Sequence, residues 1–420
     1  MRPISFLLIF FTLLSTVVTA QEAASVEVIG LVVDQYSQKP ISRASIEVNG
    51  ARSKRSISND EGRFNITVVP NEKEIELVVN ALGYQSITYK IDLTRTTDFQ
   101  INLTLEPAEI KLDEVQLDGY KNPQGLVEIM LQQLETATSS QSRQAIGFFR
   151  ERIQKREKNL SLAEAVIGLV KRPNSSTLTD QVFIGQSRKR NSYRSVDSIA
   201  VKLQGGPYNL LYNDIAKYPE IIFSTEFLDY YTYTFIGTTE KFDRELLIVH
   251  FEPQYKTSDP AFSGELYIDK ESSNLVSINF KLGVSNREKS ARIFVKKKPT
   301  GTDIWPTKAN YQIDYAPEGD LWQLQYGKIE LEFRVNWKAR LFRRNYQIDA
   351  EMMITDWLSS KESSIIREQQ RLKPSAIMSE STLGFTDADF WGEYTIIEPD
   401  SSIEKILEKI KRQLERLKEE

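Results

Sequence analysis

The sequence predicts a mainly β protein, with an N-terminal β-sandwich, a larger curved antiparallel sheet, a few helices and a C-terminal helix. Three observations carry that reading. Apolar residues alternate with period two over many short runs, most cleanly at Phe99, Ile101, Leu103 and Leu105. Turn residues punctuate the runs, as in Gln38-Lys39-Pro40, Asn49-Gly50 and Asn59-Asp60-Glu61-Gly62. Apolar spacing of three and four is confined to a few short segments.

Residues 1–20 read as a secretion signal. Met1-Arg2 is basic, Ile4 to Val18 carries no charge, and Val18-Thr19-Ala20 supplies small residues for cleavage. The apolar run is short of the roughly 20 residues that a bilayer-spanning helix needs. No later segment has a sufficient run, so no spanning helix is expected. Cysteine is absent. The chain is therefore expected to fold without disulfides and without lipid attachment behind the signal. The expected location is the periplasm or the medium. Cleavage after Ala20 leaves 53 basic residues (54 less Arg2) against 58 acidic ones, a formal −5. That balance argues against a nucleic-acid partner.

Residues 26–107 read as the sandwich. Val26 to Val33 is apolar around Gly30. Ala44, Ile46 and Val48 alternate, as do Phe64, Ile66 and Val68, and then Ile75, Leu77 and Val79. Residues 108–145 read as a helical connector, with Leu126, Ile129, Met130, Gln133 and Leu134 at helical spacing behind Asn122-Pro123. Residues 146–357 read as one long antiparallel meander with strands over 232–237, 246–251, 264–269, 276–282, 311–315 and 329–337. A helix is expected from Ser161 to Val170, where Ser161 and Glu164 form a capping box. Residues 358–400 are loop-rich. Residues 401–420 read as an amphipathic helix capped by Ser401 and Glu404, with Ile403, Leu407, Ile410, Leu414 and Leu417 along one face.

Gly30-x-Val32-x-Asp34, Pro40-Ile41-x-x-Ala44-x-Ile46, Asn59-Asp60-Glu61-Gly62-x-Phe64 and Gly83-Tyr84 resemble the carboxypeptidase-regulatory-like domain. Leu112-Asp113-Glu114-Val115 is similar to the tail behind such domains. The resemblance implies a seven-stranded transthyretin-like sandwich and an accessory role, without catalysis. Phe149-Arg150-Glu151, Leu162-x-Glu164-Ala165, Lys202-Leu203-Gln204-Gly205-Gly206-Pro207, Gly264-Glu265-Leu266-Tyr267-Ile268-Asp269 and Phe390-Trp391-Gly392-x-Tyr394-x-x-Ile397-Glu398-Pro399 extend it. Together they resemble bacterial envelope proteins described as carboxypeptidase-like regulatory domain-containing. Some members continue into an outer-membrane barrel, which this chain, ending at Glu420, is expected to lack. The sheet pattern over 220–357 is similar to the half-barrel of LolA-type lipoprotein carriers, a likeness of fold.

Candidate chemistry is sparse. His250, the one histidine, lies in the apolar run 246–251. A zinc site there would need carboxylates for every other ligand, so a structural role is expected. A serine triad finds no Gly-x-Ser-x-Gly elbow. Asp387-x-Asp389-x-x-Gly392 has Trp391 where a calcium ligand belongs and reads as a turn. Lys296-Lys297-Lys298 reads as a solvated hairpin end. Gln204-Gly205-Gly206-Pro207 is not a phosphate loop. It reads as a wide turn, or as a loop where a partner's backbone comes close. No metal, cofactor or catalytic residue is assigned.

The expected function is a non-enzymatic periplasmic binding or assembly protein holding an envelope protein or a lipid-like ligand. One alternative is a carrier with an apolar cavity in the large sheet, lined by aromatics such as Tyr208, Tyr212, Tyr230, Tyr231 and Tyr233. Another is a hydrolase with a carboxylate-only site. A deep apolar pocket would favour the first alternative, and clustered, strongly perturbed carboxylates in a cleft the second.

Overall fold

The computed structural model describes residues 25–49, 54–68, 73–94, 98–108, 122–136, 140–156, 158–191, 203–223, 228–255, 259–295, 298–338, 343–359, 370–381, 391, 394–401 and 403–404. The signal 1–20, the tail 112–115, Asp387, Asp389 and the helix expected beyond Glu404 lie outside the described residues.

Seven strands build the N-terminal unit: β1 (Val26–Asp34), β2 (Ser45–Asn49), β3 (Arg55–Ile57), β4 (Arg63–Val68), β5 (Glu74–Asn80), β6 (Ile87–Asp92) and β7 (Asp98–Leu105). They form two sheets, β4-β1-β7 and β3-β2-β5-β6. The alternating residues meet between the sheets, where Val28, Ile46, Phe64, Ile66 and Leu77 are fully buried. One pairing departs from the expected antiparallel pattern: β1 runs parallel to β7. Between them the chain has crossed through the second sheet, so β7 returns without the reversal that a hairpin imposes. Gly62 and Gly83 both occupy the left-handed region, at φ 74° and 86°.

The second unit is an open eleven-stranded antiparallel sheet. Its strands are β8 (Arg143–Lys155), β9 (Lys158–Lys171), β10 (Gln181–Asn191), β11 (Tyr231–Lys241), β12 (Arg244–Pro253), β13 (Phe262–Asp269), β14 (Leu275–Leu282), β15 (Thr302–Glu318), β16 (Leu321–Trp337), β17 (Arg344–Leu358) and β18 (Gln370–Arg371). The order is β11-β12-β13-β14-β15-β16-β17-β8-β9-β10-β18. Two meanders are thus joined where β17 pairs with β8. Strands β8, β10 and β17 were not among the expected ones.

The helix expected from Ser161 to Val170 is strand β9. Ser161, Ala163, Ala165, Ile167 and Leu169 face one side, and Leu162, Glu164 and Val166 the other. Both sides are buried. A strand covered on both faces loses its polar alternation, and spacings of three and four then appear by coincidence.

One face of the sheet is apolar. Helix α1 (Pro123–Thr136), helix α2 (Pro207–Tyr212) and the stretch 215–223 cover it, contributing Val127, Met130, Leu210, Leu211, Ile215 and Phe223 to the large core. Helix α3 (Arg287–Phe294) sets Phe294 edge-on to Phe333. Helix α4 (Met378–Ser381) adds the buried Met378. At Gly327 an added Cβ would stand 3.1 Å from Leu210, so glycine makes room for α2. The opposite face mixes polar side chains with a smaller apolar cluster of Phe148, Val166, Tyr326 and Met353, and the sandwich docks there through Ile57.

Candidate functional site

The strand register lines up a lane of polar side chains across the second face. His250 pairs with Glu265, Glu265 with Asn279, and Asn279 with Gln312. The lane continues through Lys328, Glu351 and Arg150 to Glu164 and Arg188. Nine adjacent strands each give it one residue. Period-two alternation keeps all of them on the face away from the apolar core.

The far end of the lane is closed. Arg150 Nε donates to Glu164 at 2.7 Å, and Arg188 Nε donates to its other oxygen at 2.6 Å. Arg150 also donates to Glu351 at 3.2 Å and to the Ile397 carbonyl at 2.7 Å. Burial by itself would raise the Glu164 carboxyl, but the two guanidinium groups outweigh it and hold it below its ordinary value. Trp391 lies edge-on to Phe148 and under the Arg188 guanidinium. Arg152 binds Asp349 and Asp400 at 3.0 and 2.9 Å. Residues 394–401 are therefore strapped across β8 and β9.

The turn 59–63 of the sandwich clamps both the strap and the sheet. Asn59 Oδ1 accepts the amides of Glu61 and Arg63, which shapes the turn. Its Nδ2 donates to the Glu398 carbonyl at 3.1 Å. Glu61 accepts from the Ser401 amide and hydroxyl. Asp60 pairs with Lys328 at 3.3 Å. Burial by itself would lower the Lys328 ammonium, but Asp60, Glu351 and Glu330 raise it. Further along the junction, Gln325 donates to Ser45 at 2.7 Å, Arg55 pairs with Glu318 at 2.6 Å, and the Gly83 amide donates to the Glu240 carbonyl at 3.0 Å.

The near end of the lane stays open. Between the sandwich and strands β12–β16 lies a groove of about 360 Å³. Its floor carries His250, Glu265, Asn279, Lys281, Asn310 and Gln312, and Arg43 of the sandwich forms a wall. Glu330, also in the groove, is bound by Lys308 at 2.9 Å and Lys328 at 3.2 Å. Those partners outweigh burial and keep its carboxyl below the ordinary value. Glu265 accepts the Tyr267 hydroxyl at 2.7 Å.

Gln204, Gly205, Gly206 and Pro207 lie elsewhere. Gly205, Gly206 and Pro207 are buried, and Pro207 opens α2. The Gly205 amide donates to the Ala376 carbonyl at 2.7 Å, and Gln204 donates to the Ser375 carbonyl at 3.1 Å. A Cβ on Gly206 would stand 2.5 Å from Met378. The close backbone approach read from these glycines is thus made within the chain. Tyr208 is likewise core, its hydroxyl tied to Val182 and Leu372. His250 is half-buried on β12 and lines the groove. Lys298 contacts Asp303, while Lys296 and Lys297 lie outside the described residues. Among the described residues no cluster of histidine, aspartate and glutamate could hold a metal ion.

Two buried charge features went unread in the sequence. On the apolar side, Lys171 lies between Asp180 and Asp214, at 3.2 and 2.5 Å. Lys217 binds Asp180 and Tyr315 donates to Asp214, which ties the 214–217 stretch to the sheet. Glu151 differs. It sits between Ala163 and Ala350 on the apolar face, with neither oxygen hydrogen-bonded among the described residues. Burial pushes its carboxyl up to about 8.

Residues 28–117 match the family model of the CarboxypepD_reg-like domain. The N-terminal unit is thus similar to a CarboxypepD_reg-like domain. No curated protein matches the chain. Solved structures align with the chain at low similarity. An outer-membrane lipoprotein-sorting protein domain from Vibrio parahaemolyticus has 9% identity and a TM-score of 0.22, covering 59% of this chain and 100% of that one. A LolA superfamily protein from Nitrosomonas europaea has 9% identity and a TM-score of 0.18, over 57% and 96% of the two chains. A DUF1329 family protein from Desulfovibrio piger has 12% identity and a TM-score of 0.20, over 58% and 95%. TM-scores this low carry no functional argument. The regulatory-like domain, its clamp and the groove beside it have to supply one.

Proposed function

We propose that the chain is a non-enzymatic, extracytoplasmic binding protein of the cell envelope, and that its ligand is polar and sits in the groove beneath the regulatory-like domain. The observation that carries this is the groove itself. It is concave, lies within the 300–1,000 Å³ range of small-ligand sites, and is floored by aligned polar side chains. The floor is built on strands paired on both sides within the sheet, so its backbone is held in place by the ladder.

The exported location rests on the signal-like segment 1–20. No described helix is long and apolar enough to cross a membrane. The carrier reading is less well supported, because α1, α2 and the stretch 215–223 occupy the apolar face. The hydrolase reading is also weaker. The groove carboxylates Glu265 and Glu330 are engaged by Tyr267, Lys308 and Lys328, and the strongly perturbed Glu151 lies on the other face.

The test is binding of fractionated envelope extract to full-length protein, followed by calorimetry and mass spectrometry of what is retained. Ligand from the delipidated polar fraction, lost in Asn310→Trp, is expected, because the indole would fill the groove. Ligand found in the lipid fraction, with Asn310→Trp unaffected, would overturn the assignment in favour of a carrier.

A further inference from the structure

We propose that the groove selects an anionic saccharide, a sugar unit bearing a carboxylate or phosphate, with Arg43 and Lys281 holding the anion. The inference rests on the binding function proposed above and names the ligand class.

Arg43 is the sharper of the two observations. It sits at φ 62°, a left-handed conformation that disfavours a side chain. The turn is fixed by Ser58, whose carbonyl accepts the Arg43 amide and whose hydroxyl oxygen accepts the Ala44 amide. Glycine would meet that geometry without strain, so the arginine stands here against its own backbone preference. Its side chain reaches the groove wall and has no ion-pair partner among the described residues. Lys281 on β14 is exposed, lines the same groove and likewise has no ion-pair partner there. The neighbouring Lys328 is already neutralised by Asp60 and Glu330. Two cations without an ion-pair partner among the described residues, from two different units, thus face one groove, which also holds Glu265 and Glu330. A guanidinium beside an ammonium suits a carboxylate or phosphate.

The rest of the floor specifies hydroxyls. Asn279, Asn310 and Gln312 each offer an amide donor and a carbonyl acceptor, and Glu265 offers an acceptor. A sugar hydroxyl both donates and accepts, so it can satisfy such a row. A peptide is disfavoured because β12–β16 are paired on both sides and present no free strand edge for backbone hydrogen bonds.

Full-length protein is titrated by calorimetry with a uronic-acid disaccharide, its carboxyl-reduced neutral counterpart, a hexose phosphate and an acidic peptide. The uronate or the phosphate is expected to bind at least about tenfold more tightly than the neutral sugar. Arg43→Gly is expected to abolish that preference while holding or raising the melting temperature, because glycine relieves the strained turn. Lys281→Gln should reduce the preference in the same direction. Equal binding of charged and neutral sugars, or an undiminished preference in Arg43→Gly, would overturn the inference and leave a polar groove intact. The same holds for binding of the peptide in place of the sugars. If Asn310→Trp changes binding of no polar probe or extract fraction, the groove assignment itself fails.

Discussion

Arg63 of the regulatory-like domain pairs with Glu404 at 2.7 Å and donates to the Pro399 carbonyl at 2.9 Å, across more than 330 residues of sequence. Its neighbours Asn59 and Glu61 reach Glu398 and Ser401 in the same stretch. The turn is therefore an inter-unit clamp as well as a turn. These bonds tie the start of β4 in the sandwich to the strap on the sheet.

Arg63→Ala is expected to lower stability by about 1–2 kcal/mol, the lower end for charged hydrogen bonds because both partners are partly exposed. Urea unfolding of the full chain measures it. The same variant should increase proteolysis near residue 404. An unchanged midpoint and cleavage pattern would show that the strap is held by Trp391 and Ile397 without the clamp.

Glu164 lies between two buried guanidinium groups, so neutralising it removes an ion pair from each, although Arg150 keeps Glu351 and the Ile397 carbonyl. Glu164→Gln is expected to cost about 3–5 kcal/mol. Replacing Arg150, Glu164 and Arg188 together by apolar residues of similar volume should cost less, because the only charge that loses a partner is Glu351, which is partly exposed and keeps the Tyr326 hydroxyl. Chemical denaturation of the two variants separates these outcomes. Equal losses would mean that the triad acts through packing on Phe148 and Trp391.

Glu151 gives stability a pH dependence of known sign. Folded, it keeps its proton up to about pH 8; unfolded, it ionises near 4.5. Between those values the unfolded chain binds fewer protons, so stability falls as pH rises, by about 1.4 kcal/mol per unit at most. Glu151→Gln is expected to match the wild type near pH 4.5 and to exceed it increasingly toward pH 8. Parallel stability profiles across that window would rule out a neutral buried carboxyl.

Gly83 holds φ 86° while its amide and carbonyl bind Glu240 and Ala108. An added Cβ would meet Thr239 at an ordinary 3.7 Å, so the penalty is backbone strain and not collision. Gly83→Val is expected to cost about 1–3 kcal/mol, and thermal melting of the full chain is the measurement. A neutral effect would mean that the turn can relax without losing its contact to β11.

Much of the architecture was legible in the alternation of apolar residues. Phe99, Ile101, Leu103 and Leu105 give β7, and Ile75, Leu77 and Val79 give β5, because a half-buried strand must show one face to the core. Gly62 was legible as the close of a turn, and the structure gives it and Gly83 the left-handed φ that few other residues tolerate. Strand β9 was misread because both of its faces are buried, and the parallel pairing of β7 was hidden because local pattern carries no direction. The glycines at 205 and 206 were visible, but not that Met378 of the same chain fills the space they leave.

What the sequence by itself determined is where side chains point: one residue inward, the next outward, along each strand. It also determined which turns could close, and the likeness of residues 28–117 to a regulatory-like domain. Only the tertiary structure decided which outward residues meet. Ser263, Glu265, Asn279, Lys281, Asn310 and Gln312 each looked like an ordinary solvated position on its own strand. Register between strands made them one floor, and docking of the sandwich set Arg43 above them. The physical reason is that facing is fixed by a local period of two, whereas register and docking are fixed by contacts between residues far apart in the chain.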